Sequence, residues 1–175
     1  MPKTAGITAY NMLHEICGDR NTPLTYHTLL KDVRGADGLP IVIGSRDVDS
    51  WHLSYYNYVF KQMKKYPYHI HELFKETPTF EEFLAFSYHK ECDYGKDMNN
   101  PNNAYAGFDY ITTLHNDWWS FDGNLYDYMR SHLLCGKEPD FVVRQEHYKE
   151  DWDKVLSHFD LTMVQDIKKY NKGAY

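Results

Sequence analysis

The sequence predicts an α/β fold built on a parallel sheet. Pro40-Ile41-Val42-Ile43-Gly44-Ser45 is a short β-branched run bounded by Pro and Gly, the pattern of a strand covered on both faces. Asp140-Phe141-Val142-Val143-Arg144 is a second strand candidate. The segments around them carry apolar residues at helical spacing, and strands alternating with helices argue for parallel pairing.

Each element has its own signal. Ile7 to Cys17 brings Ala9, Leu13, Ile16 and Cys17 to one side of a helix, with Gly18 as its C-cap. A turn-rich stretch, Asp19 to Pro23, leads to a short apolar piece around Leu24 to Leu30. After the first strand, Asp49 or Ser50 caps a helix running through Trp51, Tyr55, Val59 and Met63. It ends near Lys64 and Lys65, whose charges suit a helix C-terminus. Thr79-Phe80-Glu81-Glu82 reads as a capping box opening a helix through Phe83, Leu84 and Phe86. Cys92 to Asp109, centred on Asn99-Asn100-Pro101-Asn102-Asn103, reads as a long loop. A helix over Asn124 to Leu134 follows. Beyond the second strand, Tyr148, Trp152, Val155, Leu156 and Phe159 share one face of an amphipathic helix.

The 175 residues suit one domain spanning 1–175. A net charge of −6 excludes a nucleic-acid binder that works through bulk positive charge. An anionic ligand must therefore meet a local cluster of donors. Sixteen Tyr, nine Phe and four Trp point to ring-filled cores, or to a groove that stacks on sugars. The longest apolar stretch, Leu39 to Ile43, is far too short to cross a bilayer. Pro2-Lys3-Thr4 directly after Met1 leaves no signal-peptide core. Cys17, Cys92 and Cys135 are odd in number with no CxxC spacing, so reduced structural thiols are expected. His69-x-His71 reads as a solvated pair, and no metal site is expected.

Two segments carry chemistry. Pro2-Lys3-Thr4-Ala5-Gly6-Ile7-Thr8 is a small-residue turn running into a helix. Such a turn offers unsatisfied backbone N–H groups and the positive end of the helix dipole. Lys3 adds a mobile charge, and Thr4 and Thr8 add hydroxyls, which suits a phosphate or sulfate. An ordinary capped helix explains the same residues equally well. It is not the phosphate loop of nucleoside triphosphatases, because the Lys precedes the Gly. The second segment, Arg46 to Tyr56, follows the first strand. In open α/β sheets ligands bind beyond the carboxyl ends of strands. Arg46 stands at such an end, and Ser54 lies about one turn beyond Ser50 on the helix that follows.

Taken in order, PKTAG-x-T and the later RD-x-x-x-x-x-x-S-x-Y block resemble the sulfotransferase family, in its membrane-associated carbohydrate branch. The stretch Asp140 to Val155, with Arg144-Gln145-Glu146 followed by acidic residues, is similar to that family's late strand-and-helix block. The resemblance spans nearly the whole chain. It implies a three-layer, P-loop-like parallel sheet flanked by helices. It also implies transfer of a sulfuryl group from 3′-phosphoadenosine 5′-phosphosulfate (PAPS) to a hydroxyl of a carbohydrate, leaving adenosine 3′,5′-bisphosphate.

The resemblance also implies site residues. Lys3, Thr4, Ala5, Gly6, Ile7 and Thr8 match the loop that holds the 5′-phosphosulfate, Lys3 steadying the leaving oxygen. Arg46 and Ser54 match the pair on the 3′-phosphate. His27 is placed like the base of the uronyl 2-O-sulfotransferases, with Glu15 as the fallback, and Lys172-Gly173 is similar to a late basic segment. His14 and His115 are other imidazoles to weigh, and Trp118, Trp119 and Tyr105 are candidates to stack on the acceptor, with core packing expected for at least one Trp. This chain has Val48 and Trp51 where the motif carries Pro and a second Arg. Relative to the family it is expected to be shortened at both ends, without the strand before the first loop. A catalytically inactive module of the same fold, binding a phosphorylated nucleotide or a partner, is the alternative expectation. As it stands the chain reads as cytoplasmic with no membrane segment, or as a Golgi lumenal fragment of an anchored enzyme.

Overall fold

Strand β1 (Val42–Ser45) pairs in parallel with β2 (Phe141–Arg144), in the register Val42↔Phe141 through Ser45↔Arg144. This is a computed structural model, and it describes residues 6–17, 29–33, 35, 37–62, 70, 73–92 and 116–162. Acidic side chains fix the register at both ends. At the amino end Asp140 Oδ2 accepts the Ile41 N–H at 2.8 Å, while Ile41 O accepts the N–H groups of Asp140 and Phe141. At the carboxyl end Glu146 Oε1 accepts the Asp47 N–H at 2.9 Å. Among the described residues the sheet has these two strands, so the chain is mixed helix and strand around a parallel pair.

The chain divides into two compact units, Met1–Asp47 with Leu133–Tyr175, and Val48–His132. In the first, α1 (Gly6–Cys17) and α6 (Tyr148–His158) join the strands. Met12, Val143, Trp152, Val155 and Leu156 form its core, with Ala9, Leu13, Ile16, Val42 and Phe141 packed against them. The two helices thus meet the face of the sheet that carries Val42, Phe141 and Val143. Burying a side chain of this kind contributes about 1.5–3 kcal/mol, enough for this seam to hold helix to strand.

The first strand differs from its expected form. All four residues of β1 are half-buried, and along β2 Val143 is buried while Val142 is 39% exposed. That period-two alternation belongs to a sheet covered on one face more than the other. The amphipathic reading of α6 holds for Trp152, Val155 and Leu156, which are buried, but Phe159 lies past the helix end and is exposed.

The second unit holds α2 (Val48–Tyr56), which runs into a π-helical turn (Asn57–Gln62), and α3 (Phe80–His89). The short α4 (Asn116–Ser120) and α5 (Leu125–Leu134) follow in sequence. The capping box of α3 forms as the sequence indicates: Thr79 Oγ1 accepts the Glu82 N–H at 3.2 Å, and Glu82 Oε2 accepts the Thr79 N–H at 2.6 Å. Asn124 caps α5 with a single side-chain bond, its Oδ1 accepting the Asp127 N–H at 3.0 Å. Helix α2 starts earlier than its acidic cap suggested, so Asp49 lies in its first turn. Its expected end at Met63 to Lys65, and the loop beyond Cys92, lie outside the described residues.

Rings fill this unit. Trp51, Tyr55, Phe83, Phe86 and Trp118 are completely buried. Trp51 stacks on Tyr55 at 4.9 Å and meets Tyr126 edge-on at 5.2 Å. Much of the chain's aromatic content is therefore interior. Lys90 closes α3 in the left-handed region (φ 57), reaches Gly123 O at 2.7 Å and lies 4.0 Å above the Trp118 ring. Burial lowers its pKa, against the nearby Asp122 charge.

Candidate functional site

The carboxyl edge of the sheet carries two arginines. Arg144 ends β2, and Arg46 follows Ser45, its partner in the register. Because the strands are parallel, both arginines stand at the edge where such sheets bind ligands.

Their surroundings give them different work. Asp151, in the first turn of α6 and almost fully buried, takes Arg144 in a fork: Oδ2 accepts Nε–H at 2.8 Å and Oδ1 accepts Nη2–H at 2.8 Å. Oδ2 also accepts the Arg144 backbone N–H at 3.0 Å, and Lys154 Nζ stands 3.4 Å from Oδ1. The Arg144 bond holds the Asp151 carboxyl well below the usual carboxylate range, and in return raises the pKa of Arg144. A guanidinium used this way locks a strand end to a helix start. The Arg-x-Glu block is thus structural at its Arg, while its Glu146 binds the turn after β1.

Arg46 is half-buried and sits in the two-residue turn between β1 and α2. Of the loop expected to hold the phosphosulfate, the described part is Gly6 to Thr8, and it forms the first turn of α1. Gly6 is exposed, and a Cβ there would meet nothing within 4 Å. Thr8 is buried at 6% exposure. The first turn of α1 holds no acidic residue. Lys3, Thr4, Ala5, His27, Lys172 and Gly173 lie outside the described residues, as do the side chain of Ile7 and the residues His69, His71, Tyr105 and His115.

Ser54 belongs to the second unit and is 4% exposed. Trp51, where the family motif has its second Arg, is a core ring. Trp118 is fully buried with its ring against Phe86 and Tyr128, so it packs the core instead of facing an acceptor; Trp119 is half-buried beside Phe86. His14 and Glu15 are exposed on α1, His14 stacking on Tyr10 at 6.1 Å.

One imidazole stands out that no motif indicated. His52 is completely buried, and burial lowers its pKa despite the Val48 carbonyl and the charges of Asp49 and Asp127. Its sequence signal is only its place beside Trp51 on α2. Among the described residues no three His, Cys, Asp or Glu side chains come together as metal ligands, and no helix is long and apolar enough to cross a membrane. No protein-family model, curated protein or solved structure matches this chain.

Proposed function

We propose that the chain is a PAPS-dependent sulfotransferase acting on a hydroxyl of a carbohydrate, on a P-loop-like α/β fold. The observation that carries this reading is the placement of Arg46 directly after β1, at the carboxyl edge of a parallel sheet, with α1 packed on that sheet. A half-buried arginine at such a strand end is a donor of the kind that fits a phosphate group.

In the proposed reaction the bond between sulfur and the bridging phosphate oxygen breaks as a bond forms from the acceptor oxygen to sulfur. His27 takes the acceptor proton, for which an imidazole has a suitable pKa. Lys3 and the N–H groups before α1 offset the charge that gathers on the leaving phosphate, so rate comes from positioning and charge stabilisation. Arg46 binds the 3′-phosphate. Sulfuryl transfer from PAPS to a panel of carbohydrates tests the reading. Transfer that vanishes in His27→Ala while adenosine 3′,5′-bisphosphate still binds is the expected result.

One observation favours a second reading, a nucleotide-binding module without turnover. Trp51 fills the core where the family motif supplies a second Arg, so one positive charge is missing from the motif. Bisphosphate binding without transfer to any acceptor would select that reading.

A further inference from the structure

We propose that Glu146 is a positioning residue for Arg46: its carboxylate holds the backbone N–H of Asp47 and thereby fixes the strand-to-helix turn that carries the arginine. The proposal rests on the reading of Arg46 as the ligand of a 3′-phosphate.

Only Arg46 and Asp47 separate β1 from α2. On the strand side the turn is anchored by the Ser45↔Arg144 register. Past that point the backbone leaves the ladder, and Glu146 Oε1 accepts the Asp47 N–H at 2.9 Å from 99 residues away in sequence. Glu146 is itself well placed, because it lies in the 3-10 turn Gln145–His147 between two fixed points. On one side Arg144 is held by its backbone and guanidinium bonds to Asp151; on the other α6 begins at Tyr148. The chain of support runs from Asp151 through Arg144 and Glu146 to Asp47, and so to the neighbouring Arg46. Small displacements of a binding group are costly, since alignment sets how much of its interaction is realised.

A carboxylate near a phosphate-binding arginine would by charge alone weaken anion binding. Charge and positioning therefore predict opposite results when the whole carboxylate is removed, whereas removing the charge but keeping the acceptor oxygen leaves the positioning intact. The probes are adenosine 3′,5′-bisphosphate and adenosine 5′-monophosphate, titrated calorimetrically into the whole chain and its variants. The readout is the preference for the bisphosphate. Glu146→Ala should lose about tenfold of that preference, the scale of one charged hydrogen bond, with unchanged affinity for the monophosphate. Glu146→Gln should keep the preference or raise it. Glu146→Asp, one methylene too short to reach Asp47, should behave like Glu146→Ala and serves if the alanine variant does not fold. A preference that survives in Glu146→Ala and Glu146→Asp would overturn the inference alone. So would equal shifts in Glu146→Ala and Glu146→Gln, which mean charge, or equal weakening of both nucleotides, which means a general structural role. No preference in the unmodified chain would overturn the reading of Arg46 and the inference with it.

Discussion

His52 Nε2 and Ser87 Oγ lie 2.5 Å apart in the ring-lined core of the second unit. On the other side of the imidazole, Nδ1 is 2.7 Å from the Val48 carbonyl oxygen. A carbonyl can only accept, so Nδ1 carries the hydrogen, and in the neutral ring that burial favours Nε2 accepts the Ser87 hydroxyl. The Ser87 oxygen in turn accepts the Leu125 N–H at 3.1 Å, at the start of α5. One buried relay thus satisfies α2, α3 and the first turn of α5, and it requires a neutral imidazole. Ser87→Ala would leave Nε2 and the Leu125 N–H buried without partners, costing roughly 1–3 kcal/mol. Urea unfolding at neutral pH measures it; a loss within a few tenths of a kcal/mol would contradict the relay.

The same relay gives stability a pH dependence. Burial lowers the folded pKa of His52 below its ordinary value of 6.5, so the unfolded chain takes up that proton first. Stability from this group is fully present above pH 6.5 and is lost as pH falls below it. His52→Leu should flatten that slope, checked by urea midpoints on either side of pH 6.5.

Asp151 acts in a lower window. Its folded pKa lies below the ordinary value of 3.8 because of Arg144, so its contribution is present above that value and is lost as pH falls from there through the lower folded pKa. Asp151→Asn should weaken the folded chain at neutral pH and remove this acid-dependent loss. A variant with the parent's acid profile would show that the fork does not hold the strand end to α6.

Gly123 is a backbone requirement. Its φ is +144°, and a Cβ there would fall 2.8 Å from Phe121 Cε1. Gly123→Ala should destabilise the chain by about 1–3 kcal/mol, read as a lower midpoint in thermal unfolding.

How much of this was legible in the sequence follows from the range of each interaction. The α3 capping box needs only Thr79 and Glu82, three residues apart, and local pattern suffices to read it. The strands declared themselves by β-branched runs, and their parallel pairing by the helices between them. The half-buried state of β1 was not legible, because it depends on what covers each face rather than on Val42 and Ile43 themselves. His52 and Ser87 are 35 residues apart, and His52 falls on an unspecified position of the Arg46 to Tyr56 block. Arg144 was read as part of a family signature, yet the structural use of its guanidinium depends on the first turn of α6 folding back onto the strand end. Of the candidate site, the placement of Arg46 at a strand end was legible because it directly follows a β-branched run, whereas the burial of Ser54 and Trp51 comes from packing within the second unit.

Thermal unfolding with and without adenosine 3′,5′-bisphosphate, against AMP and ATP as controls, bears on the nucleotide site without needing an acceptor. At about 100 times its dissociation constant the bisphosphate should add roughly 2.7 kcal/mol of stability. That gain should be selective and should disappear in Arg46→Ala and Lys3→Ala. No shift, or an equal shift with all three nucleotides, would contradict the proposed site.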